Sequence, residues 1–300
     1  MYFSWKKSIV IIFFTILFVL GAYFFYSNLP YSIKYKPQLE KARNLLQDEY
    51  SKEVFDYAIK VWENFPEYTS TCKDDAEKLA DKYYIELENP NVPIRKGDVV
   101  IDGGVSVYTV LPEKIMKMVG KNGFLIGFEP NTTIIDIAED ELSKTGNNYK
   151  IYPVGLWDKN TVKKFHSKDL PDTSTFKNDW YGYSIKITSG NGPREQIINA
   201  KLVKLDDFIL KKKIKKIDYI HLNIEGSELE ALKGAKNILK TMKPKLSVVL
   251  EHHPTQLFNI IFYLNSLNLG YKFYLGFHVD RIITKDTVNS RRFELYAIAE

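Results

Sequence analysis

Residues 97–131, GDVVIDGGVSVYTVLPEKIMKMVGKNGFLIGFEPN, constrain the fold more than any other stretch. Val99, Val100 and Ile101 form a short β-branched apolar run, the pattern of a strand buried on both faces. The run ends at Asp102 and enters Gly103-Gly104 directly. A glycine pair at the carboxyl end of a buried strand permits a tight turn and lets a ligand approach the backbone closely. Residues 110–119 have helical spacing, with Pro112 tolerable in the first turn. Gly120 and Gly123 close that helix, and a second apolar run over 124–128 ends at Glu129. Strand, glycine turn, helix, strand and acid make the layout of a nucleotide-binding βαβ unit. In such a unit the acid accepts hydrogen bonds from ribose hydroxyls.

The chain continues in the same alternation. Residues 132–142 read as a helix and 149–154 as a third strand, leading into Gly155-Leu156-Trp157-Asp158. From there to Val203 the pattern changes to short β-type segments (162–165, 183–188 and 196–203) between polar stretches, which predicts a β-hairpin insertion over about 158–203. Phe208 and Leu210 belong to a short helix. Residues 217–224 form a buried strand that runs into Glu225-Gly226-Ser227-Glu228. One helix through Lys240 follows, with Leu229, Leu232, Ala235 and Leu239 on its apolar face. A strand over 246–250, ending at Glu251-His252-His253, is followed by a helix over 257–267 and two strands (271–277 and 293–298) that can pair antiparallel. The fold expected is a Rossmann-like, doubly wound α/β sheet, mostly parallel with an antiparallel last strand.

Ahead of this domain, expected over 94–300, stand two others. Ser8–Tyr26 is uncharged and mostly apolar, about 19 residues and enough to cross a bilayer. Bulky Tyr23-Phe24-Phe25-Tyr26 replaces a small-residue cleavage site, so an uncleaved transmembrane helix within residues 1–30 is expected, with the aromatic residues as an interfacial belt. Lys6 and Lys7 on one flank and Lys34, Lys36, Lys41 and Arg43 on the other leave its orientation open. Residues 31–93 read as a helical stalk or cap, with helices expected over 37–50, 52–65 and 71–84. The stripe of Val54, Phe55, Ala58, Ile59 and Trp62 is suited to packing on the domain that follows.

VVIDGG, IGFEPN, VGLWDKN, VKLDDF, IDYIHLNIEGSELEALKGA, GYKFYLGFH and ELYAIA occur in that order over about 95–300. Together they resemble the FkbM-type family of S-adenosylmethionine-dependent methyltransferases, most specifically through IEGSELEALKGA. The resemblance implies a seven-stranded sheet binding S-adenosylmethionine across its carboxyl edge. Asp102, Gly103 and Gly104 would line the methionine part, Glu129 would hold the ribose, and Leu156, Trp157 and Asp158 would lie near the adenine. Glu225 and Gly226 would face the reacting methyl group and the acceptor. Two departures stand out: Tyr108 follows the glycine pair where another glycine is common, and Asn223 stands where the family usually has Asp.

Methyl transfer to a hydroxyl requires alignment and removal of a proton. His252 and His253, at a strand's carboxyl end, and Glu225 are the candidate catalytic groups. The alternatives are that a histidine packs or caps a helix, and that Glu225 is a helix-start carboxylate. Asn223, Gly226 and His278 are candidate acceptor contacts, while His221, inside a strand, reads as a sheet histidine.

A single cysteine, Cys72, excludes an intrachain disulfide, and no spaced ligand pair predicts a metal. The net charge of +5 includes a run KKKIKK at 211–216, better read as a solvated linker than as a contact with anionic lipid head groups or nucleic acid. The expectation is therefore a single-pass membrane protein whose methyltransferase domain faces the cytosol, where its cofactor is made. As the resemblance implies, it would methylate a hydroxyl on a sugar, glycolipid or related small acceptor. The alternative is a catalytically inactive membrane-tethered binding or scaffold module, motivated by Tyr108 and Asn223.

Overall fold

The computed structural model describes residues 26–63, 89–105, 111–146, 148–168, 195–250, 252–280 and 290–300. Residues 8–25 of the apolar run, the helix expected over 71–84, Tyr108, the β-segment expected over 183–188 and Glu251 lie outside the described residues. No helix among the described residues is long and apolar enough to cross a membrane.

Seven strands form the main sheet: β1 (Val99–Gly103), β2 (Phe124–Phe128), β3 (Tyr149–Tyr152), β7 (Tyr219–Leu222), β8 (Lys245–Val249), β9 (Tyr271–Asp280) and β10 (Ser290–Ala299). Their order is β3-β2-β1-β7-β8-β10-β9. The first five are mutually parallel, and β10 is antiparallel to both neighbours. Consecutive residues of the central strands face opposite layers, which is why these strands read as unbroken apolar runs. Val100, Leu125 and Tyr219 enter the core beneath α4 (Leu111–Val119) and α5 (Thr132–Ser143). Ile101, Ile126 and Ile220 enter the larger core on the other face.

That larger core is closed by α7 (Glu228–Gly234), α8 (Lys236–Thr241) and α9 (Gln256–Ser266), together with α1 (Tyr31–Lys34), α2 (Lys36–Arg43) and α3 (Glu49–Glu63). The amino-terminal helices also satisfy the β9 edge. Leu46 bridges Phe273 in parallel fashion, Gln47 N–H donates to the Phe273 carbonyl (3.0 Å) and Leu275 N–H donates to Ser51 Oγ (2.9 Å). An exposed edge strand is a template for aggregation, and this one is covered.

Two expected helices are each divided. The helix expected over 37–50 stops at Arg43 so that residue 46 can pair with β9, and Asp48 Oδ1 then accepts the Ser51 N–H (2.7 Å) as α3 begins. The helix expected to run through Lys240 breaks at Ala235. There Asp206, from α6 (Leu205–Lys212), accepts the N–H groups of Asn237 and Ile238 at 2.9–3.1 Å and so caps α8 from outside.

The insertion forms its own sheet. The strands β4 (Gly155–Trp157), β5 (Thr161–Lys168) and β6 (Glu195–Lys204) take the order β4-β6-β5, with β5 and β6 antiparallel. A Cβ at Gly234 would lie 2.1 Å from the Trp157 carbonyl oxygen, so the glycine lets α7 abut β4.

Candidate functional site

The carboxyl ends of β1, β2, β7 and β8 converge on one edge of the sheet. Asp102 is fully buried at the end of β1, next to Gly127 on one side and His221 on the other. At Gly104 the backbone takes φ +87°, its N–H donates to the Phe128 carbonyl (2.9 Å), and a Cβ would fall 1.9 Å from the Asn223 carbonyl oxygen. Gly103 is enclosed by Leu222 and Leu156, which brings β4 to the same turn. The glycine pair therefore serves contact between strand ends as much as access for a ligand.

Glu129 follows β2 and is buried, and its Oε1 accepts the Asn131 N–H at 2.8 Å. Asn131 Oδ1 accepts the Thr133 N–H (3.0 Å) at the start of α5. Burial pushes the Glu129 carboxyl up to about 8. The Asn131 N–H opposes this, and the charges of Asp102 and Glu225 add to it. These three expected site residues thus share one electrostatic neighbourhood.

Residues 223–227 connect β7 to α7 through two left-handed backbone positions, Glu225 (φ 53°) and Gly226 (φ 95°). For a non-glycine residue this conformation is costly and must be held by its surroundings. The restraint is Glu228, which is fully buried. Its Oε1 accepts the N–H groups of Ile224 (2.9 Å) and Gly226 (3.2 Å), and its Oε2 accepts the side-chain amide of Gln256. Gln256 Oε1 in turn accepts the N–H groups of His252 (3.2 Å) and His253 (3.1 Å), tying the loop after β8 to the loop after β7.

His252 lies between two acids, its Nε2 3.5 Å from Glu225 Oε2 and its Nδ1 3.0 Å from Glu228 Oε1. Burial works against its charge, yet Glu225 and Glu228 together hold its pKa well above the ordinary imidazole value. Burial alone would push Glu228 up, but the adjoining His252 charge and the N–H groups it accepts bring it below the ordinary carboxylate value. An imidazolium has no lone pair to receive a proton, so this geometry does not suit the expected base role of His252. His253 takes a different part: its Nδ1 accepts the Thr255 N–H (3.2 Å) and lies 2.8 Å from Thr255 Oγ1, just ahead of α9. Of the three candidate catalytic groups, His252 is buried, whereas His253 and Glu225 (21%) are partly exposed.

The remaining expected residues scatter. Trp157 is buried in the small sheet with the Lys163 ammonium 3.6 Å from its ring centre, while Asp158 is exposed. His278 lies on β9 opposite Arg292, two strands beyond β8, and its side chain lies outside what is described. Asn223 donates its N–H to the Gly103 carbonyl (3.0 Å). Asn223 Oδ1 and Ser227 Oγ are buried and have no hydrogen-bond partner among the described residues. His221 belongs to a polar row inside the sheet: Nδ1 is 2.9 Å from Ser247 Oγ, Ser247 donates to Glu294, and Tyr296 donates to Glu294 at 2.5 Å.

Glu228 and Gln256 were not among the site residues expected from sequence. A signal existed for Glu228, since an acid in a helix's first turn, two residues after a glycine, suits capture of loop N–H groups. Gln256 carried none.

This sheet order, with one antiparallel strand and acids at the carboxyl edge, defines a methyltransferase-like α/β fold. The Methyltransferase FkbM domain matches residues 102–273, more than half of the chain, and the chain belongs to that family. Among solved structures, a methyltransferase FkbM from Methylobacillus flagellatus is similar (16% identity, TM-score 0.60), the match covering 88% of this chain and 59% of that one. A SAM-dependent methyltransferase from Aquifex aeolicus aligns over 75% of this chain and 97% of its own (16% identity, TM-score 0.37). No curated protein matches the chain.

Proposed function

We propose that this chain is a membrane-anchored methyltransferase that uses S-adenosylmethionine to methylate a hydroxyl on a sugar, glycolipid or related small acceptor. The observation that carries the reading is the meeting of Asp102, Glu129 and Glu225 at adjacent strand ends, close enough that two of them raise the pKa of the third. Their chemistry fits the cofactor. Three acids gather negative charge beside a glycine turn, and S-adenosylmethionine brings ribose hydroxyls, an amino group and a sulfonium. The orphaned Asn223 Oδ1 and Ser227 Oγ fit a polar ligand at the same loop.

When bound, the cofactor supplies an electrophilic methyl group. Glu129 would accept the ribose hydroxyls, Asp102 and the Gly103-Gly104 turn would hold the methionine end, and Leu156 and Trp157 would supply apolar surface toward the adenine. Glu225 takes the proton of the acceptor hydroxyl, kept in position by His252 and, through the loop, by Glu228. Asn223, Gly226 and His278 flank the acceptor. The Ser8–Tyr26 run anchors the chain and leaves residues 30–300 on the cytosolic side, where the cofactor is available.

Calorimetric titration of the full chain in detergent with S-adenosylmethionine and S-adenosylhomocysteine tests this reading. Micromolar binding abolished by Glu129→Ala is expected, with methyl transfer to membrane extracts lost in Glu225→Gln. Binding without turnover would favour the tethered scaffold, and a folded chain that binds neither ligand would overturn the enzyme.

A further inference from the structure

We infer that the mouth of the candidate site is turned toward the membrane surface, and that the acceptor hydroxyl is carried there on a membrane lipid. The inference rests on the anchored-methyltransferase reading above and adds to it a direction and a substrate class.

The uncharged run ends at Tyr26, and five residues later the chain is fixed to the site wall. Tyr31 is buried, and its hydroxyl donates to the Pro254 carbonyl at 2.8 Å. Pro254 is two residues from His252, whose Nε2 lies 3.5 Å from Glu225. Tyr31 also packs on Tyr35, and Tyr35 on Phe258 at the start of α9, each pair with ring centres 5.3 Å apart. Five residues span at most about 18 Å, whereas a domain of this size is about 40–50 Å across. A chain leaving the bilayer at Tyr26 therefore holds the carboxyl edge of the sheet near the head groups and cannot present the opposite edge.

The outer surface of this short tether has the chemistry of an interface. Ile33 is 57% exposed and Tyr26 48% exposed. The Lys34 ammonium stands 5.3 Å from the Tyr26 ring centre and 5.5 Å from that of Tyr35. Lys36 and Lys41 are exposed further along α2, and Lys41 lies over Phe262. Apolar and aromatic side chains among lysines suit the head-group level of an anionic leaflet. A soluble acceptor gains nothing from a site held there. A lipid-borne hydroxyl reaches it by lateral diffusion, while the cofactor enters from water.

The test uses the full chain in phosphatidylcholine–phosphatidylglycerol vesicles, with Cys72→Ser removing the single cysteine. A fluorophore is placed on Ile33→Cys or on Lys240→Cys, which is exposed at the opposite edge where β8 begins. Lipids carrying a head-group-level quencher should dim the label at 33 several-fold more than the label at 240. In native membranes given methyl-labelled S-adenosylmethionine, the label should partition into the lipid extract. Equal quenching at both positions in vesicle-bound protein would overturn the orientation and leave the anchor standing. Failure to associate with vesicles would overturn the anchor and this inference together. Label only in water-soluble products would overturn the lipid acceptor while the methyltransferase reading stood.

Discussion

Glu228 Oε1 lies 3.0 Å from His252 Nδ1 and simultaneously accepts the N–H groups of Ile224 and Gly226. One buried carboxylate thus neutralises a buried imidazolium and holds the loop in which Glu225 adopts a left-handed conformation. Removing one member of a buried pair leaves the other uncompensated, at a cost of about 3–5 kcal/mol. Glu228→Ala should lose stability of that order in urea unfolding.

The same pair sets a pH window. His252 is raised, so its contribution is complete below the ordinary imidazole value and fades only as pH rises through its higher folded value. Glu228 is lowered, so its contribution is complete above the ordinary carboxylate value and fades as pH falls through its lower folded value. The ion pair should therefore survive the neutral range intact. An NMR titration that showed His252 losing its proton near its ordinary value would contradict this arrangement.

Gly104 and Gly97 both have φ near +87°, yet they should respond differently to alanine. Nothing lies within 4 Å of a Cβ at Gly97, so Gly97→Ala should incur only the backbone cost, about 1–2 kcal/mol. At Gly104 the Cβ would meet backbone 1.9 Å away, and backbone cannot rotate aside. Gly104→Ala should lose clearly more stability than Gly97→Ala and should also displace the ends of β1 and β7. Thermal unfolding of the two variants side by side measures the difference.

The strands at the centre of the sheet were legible because each is a short apolar run closed by a glycine or an acid, and both signals are local. The β1 turn and Glu129 were found on that basis. What escaped is non-local. Asp206 caps α8 from 31 residues away, and Gln256 reaches Glu228 across 28. Neither partnership leaves a periodic trace, and an apolar stripe reads through the break at Ala235 because the stripe continues on both sides. His252 shows the same limit from the chemical side. A histidine at a strand's carboxyl end suits a base, but two acids beside it favour its charged form, and sequence spacing does not reveal their approach.

Asp206 offers a direct check on that non-local cap. Its two oxygens accept the first N–H groups of α8, and it is buried. Asp206→Ala should cost about 1–3 kcal/mol, with Asp206→Asn recovering part of it because an amide oxygen can still accept. Amide hydrogen exchange should show the loss first at Asn237 and Ile238.

Glu129 links cofactor binding to pH. With its carboxyl pushed up to about 8, it is largely protonated at neutral pH before a ligand enters. A raised carboxyl also makes the empty fold lose stability as pH climbs from the ordinary carboxylate value through 8. Ribose hydroxyls donating to Glu129 and a cationic cofactor nearby both favour the ionised form, so binding S-adenosylmethionine should expel a proton. Affinity should then rise with pH by up to about tenfold per unit below 8 and level off above it. Calorimetry in two buffers of different ionisation enthalpy reads the proton directly, as a difference in apparent binding heat. Glu129→Gln, which cannot ionise, should bind more weakly at high pH and show neither the slope nor the buffer dependence. A wild-type slope retained in that variant would overturn the assignment of the proton to Glu129.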